Sequence, residues 1–239
     1  MSRCGARWLV IDAAPLAHVR WQKAYRIIRS IYPPVDLFED IADPSDWEAL
    51  ASIESKTNPR VWEELGRLDL VPASRRVSGP GASYLMAPFV HISTDRPGRF
   101  TDGSWGVYSA GQTEEVAIRE VAHHHGRTMA ASKEERGWTS QFRMLINAID
   151  QKLHDVRQII ELHAADSYSA SQALAKEMRA SGSNGLLYRS VRSPGGECVA
   201  IFWPDLVPIP VQADHYDFHW EGARVDRVRN CRTGAILAL

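Results

Sequence analysis

Residues 96–127, RPGRFTDGSWGVYSAGQTEEVAIREVAHHHGR, constrain the fold of this chain more than any other stretch. A glycine-arginine-aromatic turn, Gly98-Arg99-Phe100, leads into a strand-like run at 106–110 that Gly111 breaks. A helix is predicted from Thr113, a plausible N-cap. Glu114 and Glu115 follow in the first turn, where the helix dipole favours negative charge. Val116, Ala117 and Val121 form a narrow apolar stripe, so the helix should lie on a sheet. Glu120 falls four residues after Val116 and three after Ala117, on or beside that buried face. A carboxylate held there is either paired or functional.

Composition excludes several classes. With 44% hydrophobic and 24% charged residues the chain reads as an ordinary soluble globular protein. A formal net charge of -1 gives no electrostatic case for nucleic acid or an anionic membrane. Apolar runs such as 206–211 are too short to span a bilayer, and the N-terminus lacks the apolar core of a secretory signal. Cys4, Cys198 and Cys231 lie far apart with no CxxC pair. That pattern suits a reducing cytoplasm and argues against a disulfide framework or structural zinc. No GxGxxG follows a strand, and neither GxxxxGK[ST] nor a GxSxG elbow occurs. His123-His124-His125 cannot converge on one metal from consecutive helical positions about 100° apart. They read instead as a solvated helix end whose imidazoles suit the C-terminal dipole. Arg224, Arg227, Arg229 and Arg232 read as a solvated basic tail, with contact to a partner or a phosphate as the alternative.

Taken in order, strands are expected at 8–11, ended by Pro15, and at 23–28, followed by an extended turn at Pro33-Pro34. Asp43-Pro44 is a helix-start signal, with Asp as N-cap, and Asn58-Pro59 starts a short helix that Gly66 ends. The pattern over 68–93 is unclear. Strands are predicted at 141–149 and 152–156 with a turn near Asp150. Asp166 is the expected cap of a helix to about Arg179, with Ala170, Leu174, Ala175 and Met178 at helical spacing. Residues 186–191 and 198–203 form a hairpin by every local signal, and 216–220 reads as an edge strand. No linker or repeat divides the chain. The expectation is a single α+β domain over 1–239 with an elaborated N-terminal third.

Polar residues stand at unusual places: Arg26 in the apolar run 24–28, Tyr108 in the central strand, Glu120 on the sheet-facing side of its helix, and Ser190 and Arg192 at a strand end. The segments Tyr25-Arg26-Ile27, Gly98-Arg99-Phe100 with Gly106-Val107-Tyr108, Ala117-Ile118-Arg119-Glu120, and 185–192 (GLLYRSVR) together resemble the RES domain, in that family's order. The arginine, glutamate and serine that give the family its name fall at Arg26, Glu120 and Ser190. The resemblance covers about residues 22–205, with an insertion at about 35–95 and an extension at 206–239.

The resemblance implies an ADP-ribosyltransferase-like mixed sheet core with flanking helices. It also implies a toxin of a bacterial type II toxin–antitoxin pair, with an Xre-like antitoxin as partner and possible assembly with it. NAD would be the consumed substrate, with no metal, no direct nucleic acid and no membrane. Such proteins either transfer ADP-ribose to a protein or deplete free NAD by hydrolysis or phosphorolysis.

The residue chemistry is compatible. Cleavage of the nicotinamide–ribose bond passes through an oxocarbenium-like state that a carboxylate such as Glu120 stabilises. Alternatively, Glu120 is salt-bridged to a neighbouring arginine. Arg26 or Arg99 fits a diphosphate, or else packs its stem on the sheet with the head in water. Tyr108 offers a stacking face for nicotinamide or adenine, though a strand tyrosine is more often core. Ser190 is a hydrogen-bond partner for Glu120 or the nicotinamide amide, and Arg192 is a further phosphate candidate. The extra N-terminal region, with Trp47 and Trp62, would dock a protein acceptor or cover an open sheet edge or dimer contact. Transfer to a protein is the favoured fate. Two other classes stand as alternatives: a nuclease-type toxin, and a silent binding module in which Arg26 and Glu120 form a structural ion pair.

Overall fold

The computed structural model describes residues 14–32, 42–58 and 60–239. The expected strand at 8–11 and the turn at Pro33-Pro34 lie outside them. Eight strands build one mixed sheet: β1 (Leu16–Arg29), β2 (Tyr108–Gly111), β3 (Thr139–Asp155), β4 (Gly185–Arg189), β5 (Glu197–Ile201), β6 (Val211–Trp220), β7 (Val225–Asn230) and β8 (Ile236–Ala238). They run in the order β1-β2-β5-β4-β3-β6-β7-β8, and β1 also pairs with β3, so the first five strands close into a ring. The flanking helices are α1 (Trp47–Glu54), α2 (Val61–Leu65), α3 (Ala82–Val90), α4 (Glu114–Ser132) and α5 (Ser169–Ala180). The α+β class with a mixed sheet and flanking helices is what the sequence implied.

Side-chain alternation divides the core. On β4 and β5, Leu187, Val199 and Ile201 face one cluster, shared with Trp47, Val61, Leu65, Leu85 and Phe89 of α1 to α3. Leu186, Tyr188, Cys198 and Ala200 face the other, against Leu174, Ala175 and Met178 of α5. A third cluster seats Ala117, Ile118 and Ala122 of α4 on Ile27, Phe142, Met144 and Phe218. The N-terminal helices therefore cover a sheet face. Trp47 is buried within them, and Trp62 stays exposed, at 42%.

Several local signals are overridden by pairing. The two strands expected around Asp150 are one continuous strand, because β1 pairs along β3 from Phe142 to His154, with Arg20 opposite Asp150. The predicted edge strand at 216–220 belongs to β6, an interior strand between β3 and β7. Its edge role passes to β8. Asp43 caps an Asx turn through Ser45, its Oδ1 accepting from the Ser45 amide at 2.9 Å, and α1 begins only at Trp47. Helix α5 begins at Ser169 and lacks a side-chain cap, leaving Asp166 outside it and Ala170 exposed; Ser171, in place of Ala170, is the buried position in its first turn. Helix α3 fills part of the unclear region despite an internal Pro88.

Candidate active site

Helix α4 starts as its sequence dictates: Thr113 is the N-cap, its Oγ1 accepting from the Val116 amide at 3.3 Å. Gly111 ends β2 against the first turn of that helix. A Cβ on Gly111 would come within 2.9 Å of the Ala117 nitrogen and of Val116 Cγ1, so the strand-to-helix turn requires glycine. This close approach sets the side of α4 that carries Ala117, Glu120, Val121 and His124 against a cavity of about 600 Å³. The other walls are β1 (Tyr25, Arg26, Ile27), the end of β2 and the segment from His91 to Val107, with Tyr188 and Cys198 at the base. The volume lies in the range of small-molecule sites.

Glu120 sits on this wall with Ser190 behind it. The Ser190 hydroxyl donates to Glu120 Oε1 at 2.6 Å. Ser190 Oγ in turn accepts from the amides of Ser193 at 2.9 Å and Arg192 at 3.2 Å. Ser190 is 6% exposed, and these three bonds fill its capacity, so it orients Glu120 and has none left for a ligand amide. No ion pair joins Arg26 to Glu120 among the described residues. The silent-module alternative required that pair, and the salt-bridged alternative for Glu120 required another arginine; Ser190 takes the place of both.

Arg26 lines the same cavity. Its Nη1 donates to the Ser109 carbonyl at 3.0 Å, its guanidinium lies 5.0 Å over the Tyr108 ring, and its Nε is buried without a partner. Burial pushes its pKa down, which marks a desolvated cation lacking a carboxylate. Arg99 is tied from the opposite wall: Nη1 donates to the carbonyls of Leu162 (2.9 Å) and Ala164 (3.0 Å), and the head lies over Tyr168.

Two sequence candidates are placed elsewhere. Tyr108 is 0% exposed, with its hydroxyl donating to Asn147 Oδ1 at 3.0 Å. It points to the core face of β2 and supports Arg26 from beneath, so no ring face is free to stack on a base. Arg192 faces a different cleft across α4. The aromatic walls that sequence reasoning missed are Tyr25, Phe100 and Tyr188, the last two packed edge-on at 4.7 Å. Strand parity was the available signal, since Val107 and Ser109 line the cavity and Tyr108 between them points away. Burial raises the Tyr188 phenol well above its ordinary value and pushes the Cys198 thiol up, so both are protonated at neutral pH.

The three histidines occupy the middle of α4, not its end. His124 lines the cavity, and His125 is buried edge-on against Phe142 at 5.0 Å. Desolvation is the largest cause lowering all three to about 4, assisted by neighbouring arginines, so they are neutral and carry no charge for a helix dipole. The expected basic tail is largely paired: Arg227 with Asp226, Arg229 with Asp217 and Arg232 with Asp214.

The family model of the RES domain matches residues 74–221. The chain belongs to the RES domain family. The match includes Arg99, Glu120 and Ser190 and begins after Arg26, which β1 brings to the site by pairing with β3. The RES-domain chain is 26% identical over 205 residues to the Sinorhizobium fredii (strain NBRC 101917 / NGR234) uncharacterized protein y4oC, covering 84% of each. Among solved structures, that of the M. tuberculosis MbcT-MbcA toxin-antitoxin complex aligns over 90% of this chain and 93% of that one, with a TM-score of 0.47 and 10% identity. Among the described residues of this RES domain, no helix is long and apolar enough to cross a membrane.

Proposed function

We propose that this RES domain is the toxin of a two-component toxin–antitoxin system that breaks the nicotinamide–ribose bond of NAD and transfers ADP-ribose to a cellular protein. One observation carries the reading: a carboxylate fixed by a buried serine faces a cavity that also holds an uncompensated arginine. With Oε1 of Glu120 occupied by Ser190, Oε2 accepts the ribose 2′-hydroxyl and faces the positive charge growing at C1′ as nicotinamide leaves. Arg26 and Arg99 neutralise the diphosphate from two walls, which orients the scissile bond toward Glu120. Tyr25 and Phe100 offer apolar walls for the flat rings. An acceptor side chain on a target protein takes the C1′ position and loses its proton. Water or inorganic phosphate in its place would give NAD depletion. The toxin acts in the cytoplasm, where NAD is available, and a cognate Xre-like antitoxin restrains it.

The test adds NAD labelled in its adenylate half, with the purified chain, to a cell lysate. Label on a discrete protein band that disappears with Glu120→Ala supports transfer. Free ADP-ribose, or its phosphorylated form, without a labelled band supports depletion and overturns transfer. Absence of any NAD turnover overturns both. In cells, the wild-type chain expressed alone should arrest growth and Glu120→Ala should not.

A further inference from the structure

Helix α4 presents a second polar surface about a third of a turn from the cavity-facing side, as successive positions advance by about 100°. There Arg119, His123 and Arg127 border a cleft of about 480 Å³, together with Arg192 from the turn after β4 and Arg224 from the turn before β7. Four guanidinium groups around one small concavity are unusual in a chain of net charge -1. Arg119 is paired with Glu115, and Arg192 donates to the Ala165 carbonyl at 2.7 Å. Among the described residues, the Arg127 and Arg224 heads have no ion-pair or hydrogen-bond partner. By contrast, Arg227, Arg229 and Arg232 on the neighbouring strands each have a carboxylate. His123 adds a donor position, since its Nε2 is buried without a partner. Burial and the adjacent Arg192 and Arg127 keep the ring neutral, so it offers one N–H and no further repulsion.

We propose that this cleft is an anion site for a phosphate group, separate from the NAD cavity, in which Arg127, Arg224 and Arg192 clamp the oxygens and His123 donates a hydrogen bond. The small concave shape and several arginine forks along its wall suit a compact tetrahedral dianion, free or at the end of a nucleotide, better than an extended acidic strand. The site also touches the support of Glu120. The Arg192 backbone amide donates to the Ser190 oxygen that holds Glu120, so one residue belongs to both sites.

The test follows arginine Nε–Hε and backbone amide resonances of the ¹⁵N-labelled full chain while inorganic phosphate, AMP or an acidic decapeptide is added at fixed ionic strength. Saturable shifts at Arg127, Arg192 and Arg224 with phosphate are expected. They should persist in Arg26→Ala and weaken at least about tenfold in Arg127→Ala/Arg224→Ala, whose exposed substitutions spare the core. Equal affinity for phosphate and AMP identifies the free ion as the ligand, and tighter AMP binding identifies a nucleotide; either supports the site. Shifts confined to Arg26 and Arg99, an unchanged response in the double variant, or binding of the acidic peptide alone overturns it. None of these readouts depends on NAD turnover.

Discussion

The Ser190 hydroxyl makes three hydrogen bonds and donates one of them, to Glu120. Ser190→Ala would free the carboxylate to rotate and leave the amides of Arg192 and Ser193 without that acceptor, at about 1–3 kcal/mol. Turnover of NAD should fall about 10–100-fold in kcat with KM little changed, and Tm should drop by several degrees. Glu120→Gln keeps an oxygen for the serine, so it should fold at the wild-type Tm yet lose about 10²–10³ in kcat. Comparing the two by steady-state kinetics and thermal melts separates orientation from folding; a Ser190→Ala protein with lowered Tm and full kcat would make the serine purely structural. His125 gives a pH signature. Its folded pKa of about 4 lies below the usual 6.5, so below pH 6.5 the unfolded chain binds a proton that the folded chain rejects. Stability is therefore full above pH 6.5 and declines as pH falls toward 4, by at most about 3 kcal/mol for this group. His125→Leu, packed on Phe142, should reduce the slope of urea-derived stability over that window, to which His123 and His124 also contribute, and an unchanged slope would exclude His125 as one of its sources.

Helix α4 carries Glu120, and its position depends on how the helix starts. Thr113→Ala removes the cap to the Val116 amide and should cost about 1 kcal/mol in denaturant unfolding, with Thr113→Ser restoring most of it. Loss of NAD turnover far beyond that destabilisation would show that the cap also sets the Glu120 position. This start was legible in the sequence because capping is local: threonine, two acids and the preceding glycine all act within one turn. The Asn58 signal marked the right region, but its side chain accepts from the Arg60 amide in a turn before the helix, and α2 starts at Val61 without a side-chain cap. Elements decided by distant partners were not legible. Asp150 looks like a turn in isolation, and only β1 running alongside makes it part of β3. Glu120 and Ser190 are seventy positions apart, and the chain pattern alone could not choose between pairing with arginine and pairing with serine. Tyr108 shows the opposite failure, since strand parity was readable and placed it away from Ser109.

The whole molecule keeps a desolvated cation at its cavity, which a fold selected for stability alone would not hold. Arg26 lies in β1, one of the five ring strands, with its Nε buried and no carboxylate beside it. Leaving a charge uncompensated in a poorly solvated place costs stability, and replacement by an apolar residue of similar length often recovers it. On the function proposed above, the diphosphate of NAD would supply the missing counter-charge, which would link ligand and fold. A non-cleavable NAD analogue at about 100 times its Kd should stabilise the wild-type chain by about 2.7 kcal/mol, or roughly 5–10 °C in Tm for a protein of this size. Arg26→Met should melt at or above the wild-type temperature without ligand, because the methionine stem still covers Tyr108, and the analogue should no longer shift it. The two results are informative together. A variant that loses both apo stability and the ligand shift would place Arg26 among the structural contacts of the ring, held by Ser109 and Tyr108. A variant that keeps its fold and loses only the shift would mean that the strand carries its charge for the substrate.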